Sequence, residues 1–145
     1  MQFQIKTFVT QDYQTVFAGF NQELFIKLAP PFPPVKLLRF DGCKKGNVVM
    51  IQLNLIFFKQ IWESLITENQ AMEEKIYFID EGIRLPFFLK KWKHQHIIKQ
   101  ENQQTAIIDN ISYQSPFWLF DYFLFPLLYL LFYYRKPIYK KVFKK

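Results

Sequence analysis

In its first nine residues the chain sets Phe3 and Ile5 against Gln2, Gln4 and Lys6, then slips once to bring Phe8 into the apolar set. A period of two predicts a strand. From Thr10 the period lengthens: Tyr13, Val16, Phe17 and Phe20 recur at helical spacing behind that cap-type threonine, which predicts a short helix. A second short helix, NQELFIKLA, is stopped by the prolines between Pro30 and Pro34. Proline lacks the backbone donor and pushes its predecessor out of helical geometry.

The middle of the chain is a succession of strand patterns. VKLLRFDG runs into DGCKKGN, where Gly42 and Gly46 signal a hairpin turn. NVVMIQLNLIFFKQ is expected as one strand, followed by IWESLITEN, EKIYFIDEGIRL, FLKKWKHQHIIKQ and TAIIDNISYQ. Six strands joined by short loops, with no helix between them, predict an antiparallel meander. Ser115-Pro116 then fits a helix start with proline in the first position, and one helix is expected from Pro116 to about Phe143. The predicted class is α+β: a curved seven-stranded antiparallel sheet wrapped around a long C-terminal helix, with two short helices after the first strand. Residues 1–145 are expected to form one domain.

Between Phe117 and Tyr134 only Asp121 and Pro126 fall outside the apolar and aromatic set. Such a segment can be a buried helix, a peripheral membrane contact or a membrane span. Eighteen residues reach about 27 Å, short of a ~30 Å hydrocarbon layer, and Asp121 would cost about 3 kcal/mol or more in lipid. The favoured expectation is a helix gripped by the sheet on one side and closed off by short helices elsewhere, hence apolar nearly all round. The alternatives rest on the basic tail, Arg135, Lys136, Lys140, Lys141, Lys144 and Lys145.

Those six cations hold nearly all of the net charge of +7. The charge is therefore a tail rather than a binding face, and no nucleic-acid partner is expected. Half of the residues are apolar and the mean hydropathy is −0.06, which excludes disorder and a multi-span membrane protein. A lone cysteine, Cys43, excludes an internal disulfide and a multi-cysteine metal site. The amino-terminal stretch has no apolar core or small-residue cleavage site, so no signal peptide is expected and the cytoplasm is the default compartment.

Chemistry concentrates between Ile79 and Gln100. By strand parity Trp92, His94, His96 and Ile98 share one face, and Lys91, Lys93 and Gln95 the other. The lysines must be wet, so the histidines and tryptophan should point inward. On the preceding strand Asp80 and Arg84 share a face, with Gly82 between them. The two histidines can be read as metal ligands awaiting a third donor, as acid/base residues oriented by Asp80, or as buried polar groups bonded to Asp80, Tyr113 or backbone at the polar end of a pocket. The last is favoured; no metal and no cofactor are expected. No nucleophile motif or glycine-rich phosphate loop is present.

The run from Phe78 through IDEGIRLPFFLKKWKHQH resembles the ligand-binding SRPBCC (START-like) domains of bacteria. Asp80, Arg84, Pro86, Phe87, Trp92, His94 and His96 fall on that family's pattern, while Gly82 stands where relatives often carry glutamine and Leu85 where they carry glycine. The element order matches the helix-grip fold. The resemblance implies an apolar cavity between sheet and helix for a lipid-like or polycyclic ligand, and it implies no particular reaction. The expected function is binding of a hydrophobic small molecule, with Asp80, Trp92, His94 and His96 as the polar cluster and Phe78, Arg84 and Tyr113 beside it. The alternatives are a cyclase or dehydratase using His94 or His96 with Asp80, and a membrane-associated protein held by the closing helix and basic tail.

Overall fold

Seven strands pair as one antiparallel sheet in the order β1-β7-β6-β5-β4-β3-β2. They are β1 (Gln2–Val9), β2 (Val35–Phe40), β3 (Val48–Asn54), β4 (Lys59–Met72), β5 (Lys75–Arg84), β6 (Lys91–Glu101) and β7 (Gln104–Gln114). Helices α1 (Tyr13–Ala18) and α2 (Gln22–Leu28) follow β1, and α3 (Trp118–Tyr133) and α4 (Arg135–Val142) close the chain. The computed structural model describes residues 1–145. The sheet, the paired short helices and the C-terminal helical segment are those the alternation predicts.

Several boundaries differ, each for a local reason. The cap of α1 is Asp12, not Thr10; its carboxylate accepts from the Thr15 amide at 2.9 Å, satisfying a donor that the first helical turn leaves free. The expected third strand ends at Asn54, because Leu55 to Phe58 form a turn closed by the Leu55 amide on the Phe58 carbonyl. The C-terminal helix begins at Trp118 rather than Pro116, since Ser115 turns its hydroxyl onto the Phe117 carbonyl and its amide onto Asp121. The helical segment is also divided at Tyr134. Pro137 has no amide to give the Tyr133 carbonyl, so the hydrogen-bond ladder has a gap there.

The largest correction concerns α3. It is not covered all round: Leu128 and Phe132 are buried, but Trp118, Tyr122, Phe123, Leu127 and Leu130 are exposed. The short helices pack elsewhere. With α4 they cover one part of the concave face, burying Val16, Leu24, Leu28, Tyr139 and Phe143 against Val9, Ile98 and Ile107. α3 covers another part, burying Leu128 and Phe132 against Ile5, Trp92 and Ile111. No helix is long and apolar enough to cross a membrane.

β5 carries an irregularity that matters for the site. Its register against β4 passes from Ser64↔Gly82 to Glu63↔Arg84, leaving Ile83 as an extra residue. A bulge of this kind redirects the side chains beyond it. Nearby, a Cβ built on Gly82 would lie 2.4 Å from Leu85 Cδ2 and 2.8 Å from its Cγ. Leu85 therefore fills the space over Gly82, and the two departures from the SRPBCC pattern form one packing unit. Gly82→Ala should cost about 1–3 kcal/mol by overpacking, and Leu85→Ala in the same chain should return part of that loss. Urea unfolding of both single variants and the double variant measures the coupling; strictly additive losses would show that the two positions are independent.

Candidate functional site

Four ionisable side chains from three adjacent strands meet on the concave face. In register, His94 of β6 stands opposite Asp80 of β5 and Ile111 of β7, while His96 stands opposite Phe78 and Asp109. The side chains then cross diagonally. His94 Nε2 lies 2.8 Å from Asp109 Oδ1, and His96 Nε2 lies 2.9 Å from Asp80 Oδ2. An ionised carboxylate only accepts, so each Nε2 carries the donated proton. The second nitrogens lie near the other carboxylates, His94 Nδ1 at 3.4 Å from Asp80 and His96 Nδ1 at 3.7 Å from Asp109. The rings lie against each other with centroids 3.5 Å apart.

Aromatic groups enclose this cluster. Trp92 donates its indole N–H to Asp80 Oδ1 at 3.2 Å, Phe78 stacks on His96 at 4.1 Å, and Phe132 of α3 meets the His94 ring edge to face at 5.0 Å. Arg135 lies over the Phe132 ring, 4.2 Å from its centroid. Asp109 is 1% and His94 3% exposed. Burial of this order disfavours every charge, so the observed pairing is what permits it.

Burial pushes the Asp80 carboxyl up, but the hydrogen bond from His96 and the nearness of His94 outweigh it and hold Asp80 below the usual carboxylate range. Asp109 follows the same pattern, with burial opposed chiefly by His94. His96 moves the other way: burial and then His94 push it down to about 4, only partly opposed by Asp80. Its Nδ1 is buried without a hydrogen-bond partner, which leaves an acceptor in neutral His96. Cys43, also buried, donates to the Phe20 carbonyl at 3.4 Å, and burial pushes its thiol up to about 12.

Asp80, His94 and His96 of this cluster, but not Asp109, lie in the wall of a cavity of about 480 Å³ between the sheet, α2 and α3. The rest of the lining is mainly apolar, including Leu24, Phe40, Ile51, Trp62, Leu128 and Leu131. Of the residues expected at the site, Phe78, Asp80, Trp92, His94 and His96 line this cavity. Arg84 and Tyr113 do not. Arg84 lies past the bulge at Ile83 and is exposed. Tyr113 is buried beside α3, its hydroxyl given to the Asp121 carbonyl at 2.7 Å. Two further residues at the site were not anticipated: Asp109, which bonds His94 without lining the cavity, and Arg135. Asp109 shares the parity of Ile107 and Ile111 in AIIDNIS, and a carboxylate on that apolar face was the available signal. Arg135 reads as a tail charge, yet it lines the cavity.

Asp80, His94 and His96 place ligand atoms within 4.8 Å of one another. Two imidazoles and a carboxylate are a donor set suited to a zinc-like ion, although each Nε2 is already directed at a carboxylate. The same geometry suits proton transfer, because each imidazole has a carboxylate to orient it.

No family model matches the chain, and no curated protein matches it in sequence. Solved structures match in fold. Protein CV1439 from Chromobacterium violaceum superposes with a TM-score of 0.71 at 13% identity, over 100% of this chain and 99% of that one. A norcoclaurine synthase point mutant from Thalictrum flavum, in complex with a transition-state analogue, gives 0.67 at 10% identity over 98% and 92% of the two chains. The di-domain ARO/CYC StfQ from the steffimycin biosynthetic pathway gives 0.69 at 10% identity; 97% of this chain matches half of that one. These neighbours are helix-grip proteins of the SRPBCC type, and the fold of this chain is the helix-grip fold.

The low value at His96 sets a pH dependence of stability. Unfolded, its imidazole takes up a proton near 6.5; folded, it resists until about 4. Its contribution is fully present above pH 6.5, falls as the pH drops towards about 4, and levels off below. The depressed carboxyls of Asp80 and Asp109 act in a lower window, beginning near 3.8. Urea midpoints between pH 7 and about 4 should therefore decline for the native chain and decline less for His96→Gln. Parallel curves would remove His96 as the cause.

Proposed function

We propose that this chain is a ligand-binding SRPBCC (START-like) domain over residues 1–145 that holds a hydrophobic, lipid-like or polycyclic small molecule. The observation that carries the reading is the cavity of about 480 Å³, apolar over most of its wall and bearing one polar cluster. A volume in this range suits a small organic ligand, and a few convergent polar groups among apolar walls are how such sites orient one. The neighbours' fold supports this at the level of architecture.

The polar cluster narrows the chemistry. On the cavity wall the Asp80 carboxylate and the free Nδ1 of His96 are acceptors, so the ligand's polar group should bring a donor, such as a hydroxyl or amine. The unpaired thiol of Cys43 suits the reducing cytoplasm in which the chain is expected to work.

Native mass spectrometry of the chain, expressed in a bacterium and purified without detergent, should show a discrete added mass that is lost on denaturation. Ile51→Trp, which places a large ring against the cavity wall, should reduce that species at least about tenfold with the fold retained by circular dichroism. An added mass indifferent to Ile51→Trp would lie outside the cavity.

A second reading is favoured by one specific observation, the two imidazoles that line the cavity, each bonded to a carboxylate. On that reading the chain is a cyclase or dehydratase using His94 or His96 as acid/base, with Asp109 or Asp80 as the orienting group. Binding kept in His94→Ala, with a bell-shaped pH dependence of turnover abolished, would favour the enzyme; a ligand released chemically unchanged favours the carrier.

A further inference from the structure

The sheet register brings four connections to one end of the molecule. β2 and β4 begin there and β3 and β5 end there, as Val35↔Leu53, Asn54↔Lys59 and Glu63↔Arg84 show. β6 begins and β7 ends at the same end, as Lys91↔Gln114 shows, so α3 starts there too. Each connection presents large apolar side chains to solvent: Phe32 before β2, Ile56 and Phe57 between β3 and β4, Phe87 between β5 and β6, and Trp118 at the start of α3. Phe57 is 91%, Trp118 66%, Phe87 64% and Phe32 61% exposed. Scattered exposed apolar residues are ordinary, but four successive connections sharing one end make a surface.

The charge at this end is mainly positive, with Glu63 set opposite Arg84 in the register. Across residues 30–36, 54–60, 84–91 and 114–123 the cations are Lys36, Lys59, Arg84, Lys90 and Lys91, and the single carboxylate is Asp121. Asp121 is occupied with the Ser115 amide at 2.6 Å. The end also borders the cavity, because Phe32 and Leu127 line it while more than half exposed. The basic tail lies elsewhere. Lys136 donates to the Lys6 carbonyl and the Lys145 amide to Thr10, near the far end of β1.

We propose that this aromatic, cationic end docks on a bilayer surface bearing anionic lipids, with Phe57 and Trp118 entering the headgroup layer. Exposed aromatic rings partition to that layer and cations beside them are drawn to anionic headgroups. That combination selects a lipid surface over a second copy of the chain, whose equally cationic end would repel it. Docked in this way, the cavity opens beside the bilayer and an apolar ligand passes between them without crossing water. The docking itself does not depend on the cavity being filled.

The test uses the full chain with phosphatidylcholine vesicles and with vesicles containing phosphatidylglycerol. Cosedimentation should occur with the anionic vesicles and weaken as salt rises. Phe57→Glu should lower the partition coefficient about tenfold or more. Chain-brominated lipid should quench tryptophan emission, and Trp118→Phe, which keeps an apolar ring, should bind yet lose most of that quenching, since Trp92 is buried and Trp62 half-buried. Changing Lys140, Lys141, Lys144 and Lys145 to glutamine should leave partition nearly unchanged. Failure to bind anionic vesicles, loss of binding in the tail variant alone, or a dimer in light scattering that Phe57→Glu dissociates would each overturn the proposal.

Discussion

The pairing of two buried carboxylates with two imidazoles is the constraint around which this fold is arranged. Asp80 and Asp109 sit where a hydrophobic core would otherwise continue, on strands that flank β6 on either side. An unpaired carboxylate there would cost several kcal/mol. β6 supplies both partners from one face, two residues apart, so a single strand satisfies both of its neighbours. The indole of Trp92 takes one further lone pair. This leaves the apolar wall of α3, through Phe132, free to close over the group without stranding a charge.

The same arrangement explains why the concave face is not filled. Phenylalanines are abundant enough to occupy it, yet they are drawn to its edges: Phe78 to the His96 ring, Phe20 to Tyr139 and Phe143, Phe132 to Trp92 and His94. Two separate cores result, one under the short helices and one under α3. The cavity borders both, with Asp80, His94 and His96 in its wall. Function and packing are therefore shared out along the sheet: the interior residues of β6 serve the site, and its flanking lysines keep the outer face wet.

Much of this was legible in the sequence. The period-two runs specify all seven strands, and the parity of Trp92, His94 and His96 against Lys91 and Lys93 specifies their face. Two kinds of information were not legible. Ile83 carries no mark of an extra residue, so Arg84 reads as facing inward with Asp80 although the bulge carries it to the surface. The other is coverage. A helix apolar on every side reads as buried on every side, because composition reports the preference of a surface and not what lies against it. Asp109 is an intermediate case, since its parity was available but nothing in the local pattern separated it from a turn-side aspartate. Arg135 was grouped with the tail by its neighbours in sequence, whereas the gap at Tyr134 places it over Phe132.

The crossed geometry of the four groups has one more consequence. Only the Nε2 contacts, at 2.8 and 2.9 Å, are hydrogen bonds; the Nδ1 contacts, at 3.4 and 3.7 Å, are not. Each ring is therefore held in one tautomer by one carboxylate, and an exchange of partners would require the side chains to move. The cluster is thus a fixed, asymmetric arrangement in which the Nδ1 of His96 keeps its lone pair uncommitted.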